Sequence, residues 1–472
     1  MAKETMGAVI LAAGEGTRMK ISLAKPLIPL AGRRLVDFPI QEISRFFKEE
    51  KIKGDIFVVT GHQKEAVEEY LKEEFTGKIS LNFIHQIKQL GTADALKSYF
   101  NQDKSAKNRE FTLVICADTP MIQKTDLDFL YRELKKYKKD AVAATFNALN
   151  PSFYGRIIRG DSDGFHIVEY KDADAKIRQI SEVNSGLYIF KTKFILDYLN
   201  RVDKNNKAGE FYLTDLFKDD LNVKAVLFNN PETFLGINTL LELDRVEDCF
   251  RRRKTKQLLD EGVRFLSFRH TYLQYDVKIG AGSCIHPNVF IEGDSKIGEN
   301  VVIETGVVIK NCIIEEGAKI FAYSYLESSI VRKNALIGPF ARLRPEVDVG
   351  SGAKVGNFVE VKKAVLEKEV KVSHLSYVGD AHIGEKSNIG CGFITCNYDG
   401  VRKHQTKVGK ESFVGSDSQA IAPVTIGDRC YIASGSTINK DMPDDSFAIA
   451  RSLQVTKKGL AKRFLKAKKS SK

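Results

Sequence analysis

No stretch of this 472-residue sequence stays apolar for the roughly 20 residues that a membrane-crossing helix needs, which excludes an α-helical membrane protein. The one candidate signal segment, Gly7 to Gly14, lacks a basic flank and a cleavage site and leads straight into charged residues. A cytoplasmic protein with no membrane partner is therefore expected. Cysteine is sparse and scattered: seven residues, an odd number, with no Cys-x-x-Cys pair and the nearest two at Cys391 and Cys396. That spacing argues for reduced thiols and against a disulfide framework or a zinc site. What remains is an ordinary globular composition, 43% hydrophobic and 28% charged, on a chain too long for a single core. Two or three domains are expected.

The formal net charge is +12, which suggests a polyanionic partner until the charge is located. Residues 457–472 carry eight Lys or Arg and no acid, so the tail alone holds 8 of the 12. Such a tail reads as a solvated end, with attraction of phosphate-bearing molecules as the functional alternative. No aromatic–basic interleaving and no known nucleic-acid module accompanies it, so no nucleic-acid partner is expected.

From residue 277 to about 440 a branched aliphatic residue returns every sixth position. Ile279, Ile285, Ile291, Ile297, Ile303 and Ile309 keep the interval without a slip, as do Ile337, Leu343, Val349, Val355 and Val361. Val372, Val378, Ile383 and Ile389 continue it with single-residue slips, and Val414, Ala420, Ile426, Ile432 and Ile438 resume it. Neither a helix nor an alternating strand has this period. A parallel β-helix does, because each flat side points one aliphatic residue inward and successive coils stack those residues into ladders. Glycine follows the repeated residue at Gly280, Gly298, Gly338, Gly384, Gly390 and Gly427, which suits a corner that needs positive φ or has no room for a Cβ.

The amino-terminal part has a different grammar. Ala8 to Met19 reads as a buried strand, a glycine-rich loop with Gly14 and Gly16, and then Arg18. The glycines let backbone amides approach a phosphate, and Arg18 with Lys25 supplies cations for it. The motif is neither a Walker loop nor a dinucleotide fingerprint. A helix over 35–50, a strand over 56–60, a helix over 63–74 and strands over 79–84 and 111–116 follow. This order predicts a parallel sheet with helical crossovers that binds its ligand beyond the carboxyl ends of the strands. Asp118 lies just past such an end, where a carboxylate could hold Mg²⁺ against a triphosphate. A turn or helix-capping role is the alternative for a lone aspartate.

Six ordered motifs then point to a family: Leu11 to Met19; Gln86 with Gln89 to Thr92; Tyr154 to Ile157; Val168 to Ala173; Val183 to Gly186; and Gly236 to Asn238. Together they resemble the sugar-1-phosphate nucleotidylyltransferases. With the β-helix added, nearly the whole chain resembles the bacterial bifunctional uridylyltransferases and acetyltransferases that make UDP-N-acetylglucosamine. For the first half the resemblance implies that Leu11, Ala12, Ala13 and Gly14 hold the uracil and loop, and that Lys25 and Arg18 face the phosphates of UTP. It further implies Gln86, Gly91 and Thr92 at the base, Gly155, Glu169 and Asn184 at N-acetylglucosamine-1-phosphate, and Asp118 with Asn238 on Mg²⁺. Two departures stand out: Cys116-Ala117 replaces the usual Tyr-Gly before Asp118, and Ala24 replaces a proline before Lys25.

In the second half the beat is lost at Cys396 to Gly400 and regained at Val408, and insertions in repeat proteins gather on the functional face. Of eight histidines, His374 is the one at a repeat position matching the family's acetyltransferase site. The resemblance implies His374 as general base, and Arg344, Lys362, Tyr377 and Asn388 on glucosamine-1-phosphate. It places Cys391, Asn397, Tyr398, Ser416, Ser434 and Arg451 at acetyl-CoA, with Cys391 and Ser434 replacing the usual alanines. It also implies a left-handed β-helix and homotrimers with acceptor sites between subunits. The expected layout is a Rossmann-like α/β nucleotidyltransferase domain at 1–240, a charged helical linker at 241–261, the β-helix at 262–456 and the basic tail at 457–472. A nucleotidylyltransferase whose β-helix serves only assembly or regulation is the competing reading.

Overall fold

A computed structural model describes residues 4–14, 16–151, 153–160 and 164–467. Glu15 of the glycine-rich loop and tail residues 468–472 lie outside the described residues. The chain divides into two compact units, Met1–Arg251 and Arg252–Lys472. No helix among the described residues is long and apolar enough to cross a membrane.

The first unit is an α/β layer structure. In chain order its elements are β1 (Thr5–Leu11), α1 (Asp37–Glu49), β2 (Lys53–Thr60), α2 (Lys64–Phe75), β3 (Leu81–His85), α3 (Thr92–Gln102), β4 (Phe111–Cys116), α4 (Lys124–Lys136), β5 (Ala141–Asn147), β6 (Arg156–Arg159), β7 (Phe165–Val168), β8 (Glu182–Lys191), α5 (Thr192–Tyr198) and β9 (Val223–Phe228). Each element read from the sequence here lies within about three residues of its expected span. The sheet runs β9-β5-β8-β4-β1-β2-β3, with β6 and β7 attached beside β8. β1 is parallel to both β2 and β4 and is apolar along Ala8, Val9 and Ile10, all fully buried, as a strand covered on both faces must be. α1 turns Ile40, Ile43, Phe46 and Phe47 inward; this three-to-four spacing makes one apolar stripe. Residues Gln123 and Asp126 form a reciprocal capping box at the start of α4.

One expectation is corrected. The sheet is mixed, because β8 lies antiparallel to both β4 and β5. Its Val183, Leu187, Ile189 and Phe190 are as buried as any parallel strand's residues, so its composition carries no sign of its direction. The charged linker forms helix α6 (Leu240–Asp260), and its basic cluster Arg251 to Lys254 is not a uniformly solvated face. Arg252 is exposed, but Arg251, Arg253 and Lys254 are half-buried. The Lys254 ammonium donates to the Tyr275 carbonyl at 3.2 Å, and burial holds its pKa below the usual lysine range.

The second unit is a parallel β-helix with three stacked ladders. One side pairs Ile285, Ile303, Ile320, Ile337, Val355, Val372, Ile389, Val414 and Ile432 in register from coil to coil. The next stacks Ile291, Ile309, Leu326, Leu343, Val361 and Val378. The third stacks Ile279, Ile297, Ile314, Val331, Val349, Leu366, Ile383, Val408 and Ile426. All belong to one continuous core, where each aliphatic side chain contributes about 2 kcal/mol by leaving water. The glycines serve mainly by lacking a Cβ. A Cβ on Gly280 would stand 2.7 Å from Glu299 N, and one on Gly390 would stand 2.6 Å from Ser416 N. Of the six named glycines only Gly338 has positive φ.

Candidate active sites

In the first unit, β1 and β4 are parallel neighbours with Leu11 opposite Cys116, so the loops after both strands open on the same edge of the sheet. They line a cavity of about 320 Å³ with Leu11, Ala12, Ala13, Gly14, Lys25, Gln86, Gly91, Thr92, Cys116 and Asp118 on its walls. The glycine-rich loop is tethered there by Gln89 Nε2 and His62 N, which both donate to the Ala13 carbonyl at 2.9 and 3.3 Å. Gly14 faces open space, with nothing within 4 Å of where a Cβ would lie. Gln86 is held by donating its amide to Asp94 Oδ2 (2.8 Å) and to the Gly91 carbonyl (3.1 Å). Gly91 has φ +116°, and a Cβ on it would meet Phe211 O at 2.4 Å. Thr92 Oγ1 accepts from Leu213 N at 2.9 Å.

At the mouth of this cavity four polar side chains converge. The Lys25 ammonium donates to Asp118 Oδ2 and, at 2.8 Å, to Asn238 Oδ1. Arg18 Nη2 donates to the same Asn238 oxygen at 2.9 Å. Asp118 and Asn238 thus present hard oxygen donors at one point, the ligand type that suits Mg²⁺. Among the described residues no group of three or more His, Cys, Asp or Glu could hold a metal. The pair therefore fits an ion that takes its remaining ligands from phosphate and water, as Mg²⁺ does.

Gly155, Glu169 and Asn184 are brought together beside this point. Asn184 N donates to the Gly155 carbonyl at 2.9 Å, and a Cβ on Gly155 would lie 3.3 Å from Glu169 Oε1. Asn184 Nδ2 donates to the Tyr188 hydroxyl at 2.6 Å, and Thr214 Oγ1 donates to Glu169 Oε1 at 3.0 Å. Burial holds the Glu169 carboxyl above its usual pKa; the Thr214 hydrogen bond opposes this, and Asp215 and Asp172 reinforce it. Cys116 borders the cavity, with Sγ 3.2 Å from where a Gly186 Cβ would stand. Burial, and then Asp118, push its thiol up to about 12, so it stays protonated and unreactive. Glu210 also lines the cavity; nothing in its sequence surroundings marks it.

In the second unit the candidates lie along one flat side of the β-helix and at the corners that begin and end it. Asn357 and His374 are register partners on adjacent coils, and His374 Nδ1 lies 2.7 Å from Asn357 Oδ1. Counting two residues on from the paired strand positions Val372, Ile389, Val414 and Ile432 puts His374, Cys391, Ser416 and Ser434 in a single column. The Asp417 amide donates to the Cys391 carbonyl at 2.7 Å and the Gly435 amide to the Ser416 carbonyl at 2.8 Å, so these corners stack directly. Arg451 Cδ lies 3.6 Å from where a Cβ on Gly435 would stand, beside the end of this column. Asn388 lies on the flat side that leads into the corner, with Lys371 and Phe413 as register partners.

Arg344, Lys362 and Tyr377 lie on the side that leaves the corner. Leu343 pairs with Val361, so Arg344 and Lys362 are stacked one above the other. Arg344 Nη1 donates to Glu360 Oε1 at 2.9 Å. The excursion at 396–408 folds back on itself: Tyr398 bridges to Lys403, and the His404 amide donates to the Asn397 carbonyl at 2.8 Å. Asn397 Nδ2 donates to Asp380 Oδ2 at 2.5 Å and lies 3.5 Å from the Tyr377 hydroxyl, while the Tyr398 hydroxyl donates to the Gly400 carbonyl at 2.6 Å. Lys403, which the sequence did not single out, thereby stands against Lys362. Its ammonium is the chief cause of the downward shift of the Lys362 pKa, with burial and Arg344 adding to it. Three cations thus face one spot.

Comparison with known proteins agrees with this division. Residues 7–231 match the nucleotidyl transferase family model, residues 270–344 the GMPPB C-terminal domain, and residues 405–440 the bacterial transferase hexapeptide (six repeats). The bifunctional protein GlmU of Geotalea uraniireducens is 40% identical over 460 residues, covering 96% of this chain and 98% of that protein. GlmU of Clostridioides difficile is 40% identical over 458 residues, covering 96% of each. GlmU of Listeria monocytogenes serotype 4b is likewise 40% identical, covering 96% of this chain and 98% of that protein. Identity at this level extends through both units, and the chain belongs to the GlmU family of bifunctional proteins.

Proposed function

We infer a division of labour between the two units of a bifunctional enzyme of UDP-N-acetylglucosamine synthesis. The second unit acetylates glucosamine-1-phosphate from acetyl-CoA, and the first joins the product to the uridylyl group of UTP. In the first unit a phosphate oxygen of N-acetylglucosamine-1-phosphate attacks the α-phosphorus of UTP in line, and the bond to the departing pyrophosphate breaks. Leu11 to Gly14, Gln86, Gly91 and Thr92 hold the nucleotide, Gly155, Glu169 and Asn184 orient the sugar, and Arg18 and Lys25 offset the charge that builds on the phosphates. Asp118 and Asn238 hold Mg²⁺, which when bound neutralises triphosphate charge.

In the second unit the amine nitrogen of glucosamine-1-phosphate attacks the thioester carbonyl of acetyl-CoA. The carbon–sulfur bond breaks, and coenzyme A leaves as its thiol. Nε2 of His374 takes the proton that the nitrogen loses and passes it to the leaving sulfur. Arg344, Lys362, Tyr377 and Asn388 receive the sugar phosphate. Cys391, Asn397, Tyr398, Ser416, Ser434 and Arg451 lie along the coenzyme.

One flat side of the β-helix carries this reading. A solenoid used only for assembly gives no reason for an imidazole at one end of that side and a cluster of cations with a chain excursion at its other end. We also propose that copies assemble as trimers through the exposed aromatic column Tyr323, Phe340 and Phe358, whose rings stack at 5.4 and 5.3 Å. The whole reading is tested by offering glucosamine-1-phosphate, acetyl-CoA, UTP and Mg²⁺ together and counting free thiol and pyrophosphate separately. Both appear if the reading holds; pyrophosphate formed from glucosamine-1-phosphate without any thiol would favour a β-helix used for assembly alone.

A further inference from the structure

The Lys25 ammonium is bonded to both oxygens that the functional reading gives to the metal, Asp118 Oδ2 and Asn238 Oδ1. Its side chain is 14% exposed and that of Asp118 24%, so the contact is sheltered from the solvent that would weaken it. Lysine is a compact point charge on a flexible stem, and the residues that hold this stem matter. The backbone of Gly16 lies along it: a Cβ on Gly16 would stand 2.9 Å from Lys25 Cβ and 3.5 Å from both Cγ and Cδ. The glycine-rich loop that lines the nucleotide cavity is therefore also the shelf for the Lys25 stem.

An ammonium and a divalent ion on the same two oxygens would be in like-charge contact, so only one of them can hold this position. A triphosphate carries several negative charges against the single charge of a carboxylate, so it attracts the ammonium more strongly. We propose that Lys25 is a place-holder that competes with the divalent cation for Asp118 and Asn238, and that the phosphates of the nucleotide release these oxygens by drawing Lys25, and Arg18 from Asn238, onto themselves. The nucleotide and the metal then bind cooperatively, and by linkage each strengthens the other equally. This goes beyond the metal assignment but rests on it.

Mn²⁺ serves as the probe, with the unbound ion followed by its electron paramagnetic resonance signal during titration of the full-length protein in the absence of nucleotide. Lys25→Met should bind Mn²⁺ about tenfold more tightly than the wild type, within the usual range of coupling between two sites. Lys25→Gln, which keeps a polar tip without the charge, should do the same. Coenzyme A release by the second unit and the circular dichroism spectrum report whether each variant is folded. Unchanged or weaker Mn²⁺ binding in both folded variants overturns the place-holder. Adding Asp118→Ala to Lys25→Met separates the two failures. If the tight Mn²⁺ binding of Lys25→Met survives that second change, the ion sits elsewhere and the metal assignment itself falls.

Discussion

Asn357 Oδ1 lies 2.7 Å from His374 Nδ1, one coil below it in strict register. An amide oxygen only accepts hydrogen bonds, so Nδ1 carries the hydrogen and Nε2 presents its lone pair. The neighbouring coil thus selects the tautomer that a general base requires. Asn357→Ala is expected to lower the acetyl-transfer kcat about tenfold while leaving the KM for acetyl-CoA near its wild-type value, because orientation of the base is lost and coenzyme contacts are kept. Steady-state kinetics in each substrate checks this.

Lys403 stands against Lys362, which also feels the charge of Arg344. Like charges in contact repel unless an anion joins them, and a sugar phosphate is such an anion. Lys403→Ala should raise the KM for glucosamine-1-phosphate about tenfold, the worth of one hydrogen bond to a charged group. The KM for acetyl-CoA should not move, and the effect should shrink as ionic strength rises.

Glu169, proposed to orient the sugar, also bears on stability. Burial raises its folded pKa above the unfolded value. Between those two pKa values the folded protein holds more protons than the unfolded chain, so stability falls as pH rises through that window. Above it the ionised carboxylate is a full stability cost. Glu169→Gln should therefore raise the melting midpoint of the first unit at neutral pH, and this gain should vanish below the ordinary glutamate pKa. The same change should weaken the KM for N-acetylglucosamine-1-phosphate. Thermal unfolding at neutral and acid pH, together with kinetics, tests both halves.

The β-helix was legible because its repeat is geometric: Ile285 and Ile303 sit one coil apart and both are fully buried, so period and burial carry the same information. The loop after β1 and the placement of Asp118 were legible for a similar reason, since a parallel strand delivers its next residues to the ligand edge. The direction of β8 was hidden, because both of its faces are buried and apolar runs read alike in either direction. Asn357 was missed because its partner lies 17 residues away and only coil register joins them. The excursion lengthens the step from Cys391 to Ser416, which hides a column that the backbone makes plain. Lys403 escaped notice because a residue inside an insertion has no period to locate it.

Two single substitutions, each assayed for both half-reactions, test the central claim of two separate active centres most directly. His374→Ala should stop thiol release from acetyl-CoA and leave pyrophosphate release from UTP and N-acetylglucosamine-1-phosphate near the wild-type rate. Asp118→Ala should do the reverse. If either variant loses both half-reactions while remaining folded, or loses neither, the account of two independent centres is contradicted.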